Sequence, residues 1–211
     1  MIYQSSHQIM FVNYMPFLCL TFLGIDRYFE KKQSGLLIGG TFLMIMTSFY
    51  FSIGGILALG LYGIYRYART KERAEETVTV KGFMGDGIQF AGRILTAIML
   101  AGVLLVPTAM ALLGRSRSRG EKVNFLQLLI PQINLKKFLY GAYGPGLSCL
   151  VLIILLTGLF YKKAYEKILS LGCLVVLTVP FFSYLLNGAL YIRPKSLIPF
   201  LPLLCYLTAK Y

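Results

Sequence analysis

Four basic side chains, Arg115, Arg117, Arg193 and Lys195, stand in short polar breaks between apolar runs and are the residues here best suited to binding chemistry. A guanidinium presents a planar fork of donors that matches phosphate oxygens, and an ammonium adds a compact point charge. Gathered on one face, they would bind lipid phosphate: the phosphate or pyrophosphate of a lipid carrier. Pairing with anionic headgroups suits the same pattern. Both readings stay open. Asn187 and Gly188 precede Arg193 and Lys195 as an Asn-Gly pair, a strong turn signal that is expected to shape that connection.

Other chemistry has little to draw on. His7 is the one histidine, so a His-based triad or a helical metal pair lacks a second member. Cys19, Cys149, Cys173 and Cys205 each lie inside an apolar run without a neighbour at ligand spacing. No metal site or disulfide framework is expected, and small apolar packing residues are. Ser148, in YGPGLSCL, lacks the following glycine of a nucleophile elbow. No Walker-type phosphate loop occurs, and no catalytic residue is assigned.

The elements that must position these groups are strongly apolar. Of the residues 57% are hydrophobic and 14% charged, and the mean hydropathy is +0.69. A soluble domain carries nearer a quarter charged residues. Hydrocarbon can cover that much apolar surface, so the expected fold is an all-α integral membrane protein of about seven hydrophobic helical segments, several of them short or kinked. Residues 1–211 form one membrane domain in this reading. The formal charge of +13 sits in clusters between apolar runs rather than in a binding module, so nucleic acid is not an expected partner.

Along the chain, Ile9 to Ile25 is the first run, interrupted by Asn13 and Pro16, and DRYFEKKQ follows as a charged loop. Leu36 to Tyr67 would be roughly 48 Å as one helix, against a hydrocarbon core of about 30 Å. A break at Thr47–Gly55 into two helices is therefore expected. Arg66 to Asp86 is a loop with a helical first part, punctuated by Gly82 and Gly85. Ile88 to Leu113 is a further span. Gly114 to Ala142 carries an interfacial amphipathic or re-entrant segment. Spans at Pro145–Phe160, Ile168–Leu186 and Leu197–Ala209 complete the set, with Pro180, Pro199 and Pro202 inside the last two. Tyr28, Phe29, Tyr65, Tyr67, Tyr140, Tyr143, Phe160, Tyr161 and Tyr191 are expected as an interfacial belt. Gly35 and Gly39 form a GxxxG suited to close helix packing. With the N-terminus outside, the outer face is basic and Glu121 is its one clear acid.

Two stretches resemble the bacterial YfhO-like membrane protein family: Met10 to Tyr67, with the polar-aromatic element TSFYFS after an apolar run, and Ser183 to Leu204, with Asn187, Gly188, Tyr191 and Arg193. That family resembles the GT-C glycosyltransferases. The resemblance implies a membrane segment of a glycosyltransferase acting on the outer face, in the modification of cell-envelope glycans or lipids. Its donor would be a polyprenyl-phosphate-linked sugar, with no cofactor evident in the chain, and membrane lipids its surroundings. The expected location is the bacterial cytoplasmic membrane, multi-pass. The family's members are longer, and the acid of the first outer loop has no counterpart here, so an internal or truncated segment is expected. A transporter or lipid-carrier translocator and a non-catalytic membrane scaffold are the alternatives.

Overall fold

A computed structural model describes residues 12–77, 79–114, 128–131, 149–187 and 194–210. They fall into two compact units, Val12–Arg115 and Met1–Phe11 with Ser116–Tyr211, and each is described by itself.

In the first unit, α1 (Met15–Lys31), α2 (Gly35–Thr47), α3 (Phe49–Arg73), α4 (Val80–Leu100) and α5 (Gly102–Gly114) follow one another. Pro16 lies in the first turn of α1, where its missing N–H costs nothing. The helix then runs on through Asp26 and Glu30, residues expected in a loop. It stops at Lys32, which adopts a left-handed φ of 56° and bonds its N–H to Tyr28 O. The break expected within Thr47–Gly55 falls at Ser48, whose extended backbone (φ −153°, ψ 95°) separates α2 from α3. Beyond it α3 extends to Arg73, well into the expected loop. Gly82 and Gly85 sit inside α4, so tertiary context overrides their poor helix propensity.

Helix α2 packs against α1, α3 and α4, and α1 also packs against α3. The α1–α2 contact is close enough to exclude side chains. A Cβ on Gly24 would lie 2.6 Å from the Leu37 backbone N, and one on Gly40 would lie 2.6 Å from Thr21 Oγ1. A Cβ on Gly35 or Gly39 would meet nothing within 4 Å among the described residues, so there the GxxxG pair does not make the close approach. Leu18, Ile25, Leu37, Met44 and Leu59 are fully or almost fully buried in this core. The buried hydroxyls of Thr21 and Thr41 donate to Phe17 O and Leu37 O one turn back. Tyr14 stacks on Phe51 with centroids 5.2 Å apart.

In the second unit, α6 (Cys149–Leu159), α7 (Ala164–Thr178), α8 (Pro180–Leu186), a 3₁₀ segment (Pro194–Phe200) and α9 (Leu201–Lys210) are described. Helix α7 packs on α6, and α9 packs on α6 and the 3₁₀ segment. Pro180 opens α8 and forces Val179 before it into an extended conformation. Leu155, Leu169, Cys173, Leu197, Phe200 and Leu204 form the core. Burial pushes the Cys173 thiol up to about 12. This is a packing cysteine, inert toward thiolate chemistry.

The spans are the main correction to the sequence reading. Among the described residues no single helix is long and apolar enough to cross a membrane. Two pairs meet the length and composition required only when joined across sharp bends: Val80–Leu100 with Gly102–Ala111 at 70°, and Ala164–Thr178 with Pro180–Leu186 at 74°. The integral membrane architecture of about seven segments is therefore replaced by a helical fold with buried ion pairs, satisfied buried hydroxyls and aromatic clusters. Sequence windows misjudged it because α1 and α3 carry their charged residues within the helices, on faces that pair with each other. The multi-pass location, the lipid partners and the transporter and scaffold readings rested on those spans, and the GT-C-like enzyme segment with its lipid-linked sugar on the family resemblance together with them; with no single spanning helix among the described residues, none of them is carried further. The amphipathic segment expected within 114–142 lies almost wholly outside the described residues.

Candidate functional site

The first unit holds both a charge cluster around a buried arginine and a cleft. Asp26 and Glu30 are one turn apart on α1, so their carboxylates share a face. Tyr62 and Arg66 are one turn apart on α3. The α1–α3 contact brings the two pairs together. Arg66 is 6% exposed. Its Nη2 donates to Glu30 Oε1 at 2.6 Å, and its Nε lies 2.7 Å from Asp26 Oδ1. That second contact is an ion pair off the N–H direction, since Nε makes no hydrogen bond. Tyr62 Oη donates to the same Asp26 oxygen at 2.8 Å. The hydrogen bond from Arg66, then its charge, hold the Glu30 carboxyl below its usual range. A guanidinium bridging two carboxylates fixes the register of α1 against α3.

On a neighbouring face of the same turns, beside the cluster, a cleft opens between α1, α3 and α4. Its first lobe has a volume of about 190 Å³. Phe29, Tyr67, Phe83 and Phe90 supply aromatic walls, Gly60, Gly63 and Gly87 supply bare backbone, and Ile64 and Asp86 complete the lining. Phe29 and Phe90 stack at 5.9 Å, and Tyr67 meets Phe83 edge-on at 5.4 Å. Gly63 is needed for this arrangement, because a Cβ there would lie 2.9 Å from Phe90 Cε1. Helical spacing explains the lining. Gly60, Gly63, Ile64 and Tyr67 form one face of α3, and Phe83, Asp86, Gly87 and Phe90 one face of α4.

The second lobe, about 200 Å³, shares Phe29, Tyr67 and Asp86 with the first and adds Lys32, Thr70, Lys71 and Glu76. Here the charges are partly matched. Lys71 Nζ is 2.5 Å from Glu76 Oε2, which raises the lysine and lowers the carboxylate from their usual values. Lys32 lies 5.8 Å over the Tyr28 ring and Lys71 5.9 Å over the Tyr67 ring. Burial, more than any charge, holds the Tyr28 hydroxyl above the usual tyrosine range. Arg93 opposes the shift and Asp86 adds to it.

Tyr67 lines both lobes, is 6% exposed, and its buried hydroxyl has no hydrogen-bond partner among the described residues. A Cβ on Gly82 would lie 3.6 Å from Tyr67 Oη. A buried hydroxyl left unpaired costs about 1–3 kcal/mol.

The residues expected to bind phosphate do not gather in what is described. Arg115, Arg117, Gly188, Tyr191 and Arg193 lie outside the described residues. Lys195 is partly exposed within the 3₁₀ segment. Asn187 is buried, donates from Nδ2 to Ser183 O, and lies 3.2 Å from Ser196 Oγ. The phosphate reading thus gains no geometry. Sequence reasoning missed Asp26, Glu30, Arg66 and the cleft. Tyr28, Phe29, Tyr65 and Tyr67 were expected as a belt at an interface, yet Tyr28, Phe29 and Tyr67 pack in ring pairs around the cleft, and Tyr65 is fully buried against Tyr62. The signal available was the pairing of i, i+4 spacings, in Asp26/Glu30 and Tyr62/Arg66.

The described residues thus define a helical protein whose first unit is locked by a charge cluster beside an aromatic cleft. The chain matches the family described as "Bacterial membrane protein YfhO" over residues 1–190, nearly its full length, and it belongs to that family. No curated protein and no solved structure matches it.

Proposed function

We propose that the Val12–Arg115 unit is a ligand-binding module whose cleft takes a small amphipathic organic molecule. The apolar body lies in the lobe walled by Phe29, Phe83 and Phe90, and the polar end faces the charged lobe. The observation that carries this reading is the aromatic, glycine-walled lobe with Asp86 in its lining. The size fits a single ring with a short substituent, since an apolar cavity of about 150 Å³ accommodates benzene. The two lobes together reach the lower part of the range for ligand pockets, about 300–1,000 Å³.

Benzyl alcohol is a suitable probe, with one ring and one hydroxyl. Titration of the full chain is expected to show saturable binding that shifts the resonances of Phe83 and Phe90. Tyr67→Phe removes the unpaired hydroxyl and is expected to raise the stability of the unliganded chain by about 1 kcal/mol. Absence of saturable benzyl alcohol binding, or resonance shifts confined to residues outside the cleft, would refute the reading.

A further inference from the structure

Resting on that reading, we infer that the cleft selects an organic ammonium ion with an aromatic or similarly compact apolar substituent. The composition of the first lobe carries the argument. Its walls are aromatic rings, glycine backbone and Ile64, and Asp86 is its one charged residue. Ring faces carry negative electrostatic potential and attract cations within about 6 Å of their centroids. A carboxylate beside such rings is the complement of an ammonium group. Asp86 is partly exposed, and an anion placed there would meet its like charge, which opposes binding.

The basic residues nearby do not reverse this preference. Lys32 and Lys71 line only the second lobe. Lys71 is paired with Glu76, and Lys32 and Lys71 already lie over the rings of Tyr28 and Tyr67, so cations of the chain itself use these aromatic faces. Arg93 acts on Tyr28 and lines neither lobe.

Three probes of similar shape separate the charge preference from binding itself: benzylammonium, benzyl alcohol and benzoate, each titrated into the full chain at neutral pH and low ionic strength. Benzylammonium is expected to bind about tenfold more tightly than benzyl alcohol, with benzoate the weakest. Asp86→Asn keeps the side-chain shape and is expected to erase that advantage, and a thermal unfolding transition like the parent's shows that the variant is folded. Equal affinity for benzylammonium and benzyl alcohol, tightest binding by benzoate, or an equal loss for both probes in Asp86→Asn would overturn the inference while leaving the cleft as a binding site. Absence of binding by all three would remove the cleft reading and this inference together.

Discussion

Each unit buries one member of an ion pair, but the two do so with different chemistry. In the first unit the buried group is a cation. Arg66 spans Asp26 and Glu30, one turn apart on a neighbouring helix, and Tyr62 adds a hydrogen bond to Asp26. In the second the buried group is an anion. Glu166, 6% exposed, receives Lys210 Nζ at 2.7 Å, and Lys210 also lies 5.8 Å over the Tyr165 ring. A guanidinium can hold two acceptors in fixed directions, whereas an ammonium is a point charge on a flexible stem. The first arrangement joins its helices by two directed hydrogen bonds, Arg66 to Glu30 and Tyr62 to Asp26, with the Arg66–Asp26 ion pair beside them, and the second ties two helices together at one point. The difference explains how the first unit keeps a glycine-walled gap open beside the cluster. Helices held in register by directed bonds need not collapse onto one another.

This contrast can be broken most sharply at Arg66. Arg66→Ala leaves two carboxylates side by side on α1 without their cation. A loss of about 3 kcal/mol is expected in denaturant unfolding, at the low end of the range for a broken buried pair because Asp26 and Glu30 are partly hydrated. Arg66→Lys should recover less than half of that, since one ammonium cannot serve both acids. Equal stability of Arg66→Lys and the parent would erase the distinction drawn between the two units. Next in size is Gly24→Ala, which places a Cβ against the Leu37 backbone. A destabilisation of about 2 kcal/mol is expected despite the better helix propensity of alanine, while the same change at Gly39 should be neutral or stabilising. In the second unit Lys210→Met is expected to cost about 1 kcal/mol, because Lys210 lies in the last turn of α9 and local movement can rehydrate Glu166.

The smallest effect is a pH dependence. Glu30 has a folded value held below its ordinary 4.5, so it contributes stability above that pH, and the contribution is lost as pH falls through the lowered value. Its side chain is half-exposed, so the contribution is well under about 1 kcal/mol. Glu30→Gln should flatten the unfolding profile slightly below pH 4.5 and leave it unchanged in slope above.

The helical segments and the break within Thr47–Gly55 were legible in the sequence, because polar interruptions act locally, while Pro180, expected inside one span, separates two helices. The sequence showed neither the fold's true boundaries nor the cleft. DRYFEK looks like a loop when charge is counted residue by residue, yet Asp26 and Glu30 belong to a helix face whose partner lies 36 residues on. Gly35 and Gly39 matched a packing motif, while the glycines in close contact are Gly24 and Gly40, each opposite a residue of the other helix. Tyr67 could serve a belt or a pocket equally well by type. Only the juxtaposition of α3 with Phe83 and Phe90 on α4 decides between them, and that contact is not encoded in any single window.

The central claim is that the gap between α1, α3 and α4 is a binding site. Gly60→Leu tests it most directly, because Gly60 lines the first lobe and a Cβ there meets nothing within 4 Å. Leucine should fill the lobe and strengthen α3, by about 1 kcal/mol from helix propensity alone. The account predicts that Gly60→Leu unfolds at or above the parent's temperature and no longer binds benzyl alcohol. A variant that folds as well as the parent and binds benzyl alcohol with the same affinity would contradict it.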